Sequence, residues 1–190
     1  ASKGKGLLSK LVDKAFEELR GNKFVQEKLG SAGVKKLTDK LGVIVKKALT
    51  NDTIVKKVTK KLAGVVGRMA GKFLPGYGKL INVAFSAYDA YTGYNEVASM
   101  FGVPPDKVTA GMKTAAMAFN VIMGLPKFCI IDLILEIADM GSEAVTGQNL
   151  HVRRQILVSI YTCLPNSLDE KDIEKLQSEQ HAKYEAYKKK

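Results

Sequence analysis

The chain has no tryptophan, two histidines and two cysteines in 190 residues, and aromatic residues make up only 7% of it. Each shortage excludes something. Cys129 and Cys163 lie 34 positions apart, with neither a C-x-x-C pair nor the spacing of a metal site. They read as two buried thiols or as one disulfide. His151 and His181 stand apart from each other and from the cysteines, and no His-x-x-x-His, G-x-S-x-G or phosphate-binding Gly-Lys-Ser/Thr motif occurs. Gly76-Tyr77-Gly78-Lys79 comes nearest but lacks the hydroxyl residue and the preceding strand. The expectation is a protein that is not an enzyme, with no cofactor and no metal. Long apolar runs are also missing. The uncharged stretch at the apolar centre, Thr114 to Pro126, is too short to cross a bilayer. Ala1 opens a Lys/Gly/Ser stretch without the apolar core of a signal peptide. A soluble form able to associate with membranes is expected.

What is abundant is lysine, and it is unevenly placed. Ala1 to Leu80 carries 19 Lys and Arg against 6 Asp and Glu, a net +13. Ile81 to Pro165 carries 5 against 7, a net −2, and the remainder is balanced at 6 against 6. A basic region joined to a nearly uncharged one implies an anionic partner.

The apolar pattern is helical throughout. Leu7, Leu8, Leu11, Val12, Ala15, Phe16 and Leu19 mark a first helix ended by Gly21-Asn22, and a short segment from Lys23 to Leu29 stops at Gly30. Val34, Leu37, Leu41, Ile44 and Ala48 form the next seam, then Asn51 or Asp52 caps a helix striped by Ile54, Val55, Val58, Leu62, Val65, Val66 and Met69. Pro75-Gly76 breaks the pattern, and Gly93 is expected to end the helix that follows. Asn95 to Phe101 adds a short helix, Pro104-Pro105 opens an apolar one running to Leu125, and Lys127 to Ala144 is another. Leu150 to Cys163 and Leu168 to Tyr187 complete the set, the last with Ser167 and Glu170 as a capping box. Gly64, Gly67 and Gly71 have the small-residue spacing of a close helix crossing. The fold class is therefore all-α: a compact bundle of eight or nine helices with an apolar central hairpin. One domain is expected, with basic amphipathic helices over 1–74, an apolar centre over 75–165 and a charged C-terminal helix over 166–190.

Asp89-Ala90-Tyr91-Thr92-Gly93 echoes Glu143-Ala144-Val145-Thr146-Gly147, each after an apolar helix that begins near a Lys-Phe pair, Lys72-Phe73 and Lys127-Phe128. The echo reads as a duplicated hairpin or as two helices that happen to stop at Thr-Gly. Pro75-Gly76-Tyr77-Gly78 followed by Asp89 to Gly93 resembles the pre-toxin TG segments of bacterial polymorphic toxins, although no toxin catalytic domain follows. The layout is also similar to colicin-type pore-forming domains, which hide an apolar helical hairpin inside Lys-rich helices. Those resemblances imply a membrane-associated or secretion-linked role. They make Met112, Phe119, Ile122, Phe128, Ile131 and Ile134 the residues expected to insert.

Asp132, Glu136, Asp139 and Glu143 lie at i, i+4, i+7 and i+11, on one face of the second arm. This is a solvated stripe, a counter-surface for the lysines, or a pH-sensitive stripe whose protonation leaves the helix almost wholly apolar. Lys35, Lys36, Lys46, Lys47, Lys56, Lys57, Lys60 and Lys61 are the expected lipid or phosphate contacts, if they are more than a solvated face. Arginine is scarce and no aromatic lies between Lys28 and Gly71, which argues against base-specific reading of a nucleic acid. Tyr77, Tyr88, Tyr91 and Tyr94 cluster at the first Thr-Gly, as half-buried core edges or as interfacial side chains. The expectation is a non-enzymatic, membrane-active helical protein, pore-forming or membrane-remodelling, partnered by an anionic membrane surface. The alternative is a basic structural protein, of a phage particle for instance, that holds nucleic acid non-specifically or a partner protein. Self-association is compatible with both.

Overall fold

Asparagine and aspartate side chains, glycines and hydroxyls punctuate this chain, and between them every regular element is helical. The computed structural model describes residues 2–71, 78–125 and 128–190, and no strand occurs among them. The helices are α1 (Ser2–Gly21), α2 (Lys23–Ala48), α3 (Asp52–Gly71), α4 (Gly78–Phe101), α5 (Ala110–Gly124), α6 (Cys129–Thr146), α7 (Val152–Thr162) and α8 (Glu170–Lys188). A 3₁₀ turn, Pro105–Lys107, precedes α5.

The caps explain most boundaries. Asn22 Oδ1 accepts from the Val25 amide at 3.1 Å and starts α2. Asn51, not Asp52, caps α3, accepting from Thr53 N at 3.0 Å and Ile54 N at 3.2 Å. Gly147, in the left-handed region at φ 74°, closes α6. Three expected boundaries shift. The helix after Pro104-Pro105 does not start there: Val108 is extended, and Thr109 Oγ1 caps α5 by accepting from Met112 N at 3.1 Å. Ser167 does not cap α8. Asp169 does, accepting from Asp172 N at 2.8 Å. Gly93 ends nothing, since α4 runs through it to Phe101. A Cβ on Gly93 would lie 2.6 Å from the Ala116 carbonyl oxygen, so the glycine is there to let α4 and α5 touch backbone to backbone. The two Thr-Gly sites therefore do different things. Pro75-Gly76-Tyr77 and both Lys-Phe pairs include positions outside the described residues.

Proximity divides the chain into two units. The first comprises Ala1–Asn82 with Met123–Val152, and the second Val83–Ile122 with Arg153–Lys190. In the first, α1, α2 and α3 all pack on α6, and α1 also packs on α2 and α3. Leu8, Val12, Phe16 and Leu19 from α1 are buried, as are Leu41, Ile44 and Val45 from α2 and Ile54, Val58 and Leu62 from α3. From α6 the buried set runs nearly all round the helix and includes Ile131, Ile134, Ile137 and Ala138. Such a helix is a core element despite the acidic residues on one of its faces. Its tightest contact is at Gly141, where a Cβ would lie 2.5 Å from that of Ala48. Of the expected small-residue spacing in α3, a Cβ on Gly64 would meet open space.

The second unit is organised by Tyr161. Its ring meets Phe101 edge-on, with centroids 5.4 Å apart, and its hydroxyl accepts from the Leu168 amide at 2.9 Å. Gly102 turns the chain after α4 at φ 69°, and the Arg154 guanidinium fills the space a side chain would take there. Arg154 donates from Nε to the Met100 carbonyl and from Nη2 to that of Ser99, both at 3.1 Å. Those carbonyls are among the last of α4, where helical partners run out, and that of Ser99 also accepts from the Gly102 amide at 3.2 Å. Gln177 Nε2 on α8 reaches the Phe101 carbonyl at 2.9 Å.

Candidate polyanion-binding face

The lysines of α2 and α3 owe their position to the seams beside them. In α2 the buried residues are Val34, Thr38, Leu41, Ile44, Val45 and Ala48. In α3 Ile54, Val55, Val58 and Leu62 are buried. Helical periodicity then leaves Lys35, Lys36, Lys46, Lys47, Lys56, Lys57, Lys60 and Lys61 outside, and all eight are exposed. Lys10, Lys14 and Lys40 are exposed as well. The first unit thus turns apolar stripes inward onto α6 and ammonium groups outward.

The acidic stripe of α6 belongs to this arrangement. Asp132, Glu136 and Asp139 occupy the one seam of the helix that is not fully buried, and Glu143 is exposed. Lys61 Nζ lies 3.1 Å from Glu136 Oε1, so one of the eight lysines is turned toward the stripe. Asp139 Oδ1 accepts from the Val152 amide at 2.6 Å, and Ser142 Oγ accepts from Leu150 N at 3.0 Å, tying the segment after α6 back to the helix. Part of the stripe is therefore structural, a role that i, i+4 spacing alone does not disclose.

The residues expected to insert are dispersed. Ile131 and Ile134 are core residues of the first unit, and Met112 and Phe119 of the second. Phe128 is partly exposed at the start of α6, and Ile122 is exposed. Among the described residues no helix is long and apolar enough to cross a membrane. Both cysteines are free. Cys163 is exposed, while Cys129 is buried, and that burial pushes its thiol above the ordinary range against the opposing charge of Arg68. Arg68 Nη1 also donates to the Gly124 carbonyl at 2.8 Å. No group of three or more His, Cys, Asp or Glu side chains suited to a metal ion gathers among the described residues.

Two surface features have little signal in the sequence. A groove of about 940 Å³ between α1 and α2 is lined by Val12, Phe16, Val34 and Val45 together with Arg20, Lys35, Lys46, Asp13 and Asp39. Several large apolar side chains also stand in solvent: Phe24 and Leu29 in the first unit, Tyr88, Tyr91 and Tyr94 in the second. The tyrosines are thus not half-buried edges. Tyr77 lies outside the described residues. Comparison with protein-family models, curated proteins and solved structures yields no match to this chain.

Proposed function

We propose that this is a non-enzymatic, membrane-active protein that docks through the lysine face of α1–α3 onto anionic lipid. The observation that carries the reading is the exposure of all eight paired lysines over a neutral, aliphatic interior. A basic face of this kind is drawn to an acidic leaflet by about 1 kcal/mol for each lysine held near it. Amphipathic helices with such a face lie in the interface plane. Pore formation or remodelling would follow docking as a separate step, because Ile131 and Ile134 reach lipid only after α6 leaves its place among α1, α2 and α3. The charged seam of α6 sets a further condition. A carboxylate at mid-bilayer costs roughly 2.5–3.5 kcal/mol, so Asp132, Glu136 and Asp139 would have to be protonated or face water.

Co-sedimentation with vesicles containing phosphatidylserine is the direct test. Binding is expected at low salt, with release at high salt as surface charges are screened. Replacing Lys46, Lys47, Lys56 and Lys57 together with Gln is expected to weaken partitioning by roughly several hundredfold. Dye release from the same vesicles reports the second step, and its absence with binding intact would leave docking without pore formation. A second reading, a basic structural protein holding nucleic acid, is favoured by one feature: the lysine face carries no interleaved aromatics and suits phosphates of any origin. Steeply salt-dependent binding to duplex DNA, with no sedimentation on vesicles, would establish it in place of the first.

A further inference from the structure

We propose that the N-terminal arm of α2, Lys23 to Leu29, is the anchor by which the docked protein inserts into the interfacial layer of an anionic bilayer. The proposal rests on the membrane reading above and names the part of the surface that leaves water. From Lys23 to Gly33 no residue is buried, and the first core residue of α2 is Val34. Yet the arm carries Phe24, 61% exposed, Leu29, 49% exposed, and a half-exposed Val25. A helical segment this short is marginal in water without an apolar face to bury. The arm is held at its start by the Asn22 cap and by Gln26, whose Nε2 donates to the Arg20 carbonyl.

At its far end Gly30 takes φ 68° and ψ 167°, a backbone conformation essentially confined to glycine, which breaks the axis between the arm and the core-facing part of α2. The break separates a piece that packs on α6 from a piece that buries no residue of its own. The arm itself is net basic, Lys23 and Lys28 against Glu27, as an anionic surface requires, while Arg20 just before it is accompanied by Glu17 and Glu18. Lys28 Nζ rests 5.7 Å from the centre of the Phe24 ring. On a bilayer that ammonium group can rise to the headgroups while the ring beneath it enters the acyl boundary. An exposed aromatic ring beside a lysine suits a lipid interface.

The absence of tryptophan makes the test direct, because a single introduced indole is the only one in the protein. Phe24→Trp replaces an exposed side chain, so the fold is retained. Tyr184→Trp, at an exposed site on α8, is the control. With phosphatidylserine vesicles the emission of the Phe24→Trp protein is expected to shift to the blue and to be quenched by lipids brominated near the headgroup, while the control stays water-like. Phe24→Ser with Leu29→Ser is expected to lower vesicle partitioning roughly ten- to a hundredfold. If the Phe24→Trp protein sediments with vesicles but its indole stays water-like and unquenched, the anchor is wrong and docking by lysines alone stands. If the unaltered protein does not bind vesicles at all, both fall together. A blue shift of the Phe24→Trp protein with duplex DNA in place of lipid would also overturn the proposal.

Discussion

The unit built on α6 and the unit organised by Tyr161 hold their cores by different means. In the first, aliphatic side chains from α1, α2 and α3 close around a helix buried on nearly every side. Its polar links include Lys61 to Glu136, Asp139 to the Val152 amide, Ser142 to the Leu150 amide and Arg68 to the Gly124 carbonyl. In the second, buried aromatic residues are pinned at their polar ends: Tyr161 by the Leu168 amide, and the α4 terminus by Arg154 and Gln177. Area-driven packing is non-directional and tolerates sliding, whereas directed bonds to otherwise orphaned carbonyls fix a single geometry. Rearrangement of the first unit would slide aliphatic surfaces past one another and would also break its polar links.

Substitutions can break this contrast in order of expected effect. Ile134→Ala removes a fully buried side chain from the centre of α6 and is expected to cost about 2–5 kcal/mol. Amide exchange should quicken throughout α1, α2, α3 and α6, because all share that core. Gly93→Ala places a methyl group against the Ala116 carbonyl, where neither backbone gives way easily, and should cost about 1–3 kcal/mol, read as a fall in the denaturation midpoint. Asp169→Ala removes the α8 cap and is expected to cost about 1 kcal/mol, with faster exchange limited to the first turn of that helix. Lys61→Gln loses a half-exposed ion pair and should change stability by less than about 1 kcal/mol. A large loss from that last change would show that the acidic seam, and not aliphatic packing, holds the first unit together.

The fold class is legible because the apolar residues repeat at helical spacing for the length of the chain. Of the stripe the periodicity picks out in α1, Leu8, Val12, Ala15, Phe16 and Leu19 are buried, while Leu11 is partly exposed and Leu7 is exposed. Helix ends are less legible, since several side chains near each boundary can cap. Thr109 and Asp169 prevail over Pro104-Pro105 and Ser167 because each offers an oxygen at hydrogen-bond distance to an amide three residues on. The glycines are least legible. Gly147 sits in the left-handed region and Gly93 inside a helix, yet both follow threonine. Only the neighbouring backbone of Ala116 separates their roles, and no local pattern carries that information. The exposure of the lysines is legible because their position follows from the seams. Arg154 leaves no such trace, because its partners lie 54 and 55 positions away.

The break at Gly30 has a consequence for how the chain meets a protease. Trypsin needs a lysine on a backbone that can leave its helix and thread into a cleft, so cleavage sites follow local opening. Lys23 and Lys28 sit on an arm with no core residue to hold it, while Lys46, Lys47, Lys56 and Lys57 are locked to buried neighbours one or two positions away. Brief digestion should therefore cut at Lys23 and Lys28 before the other four. The same digestion on vesicles would then show which of these lysines the bilayer shields.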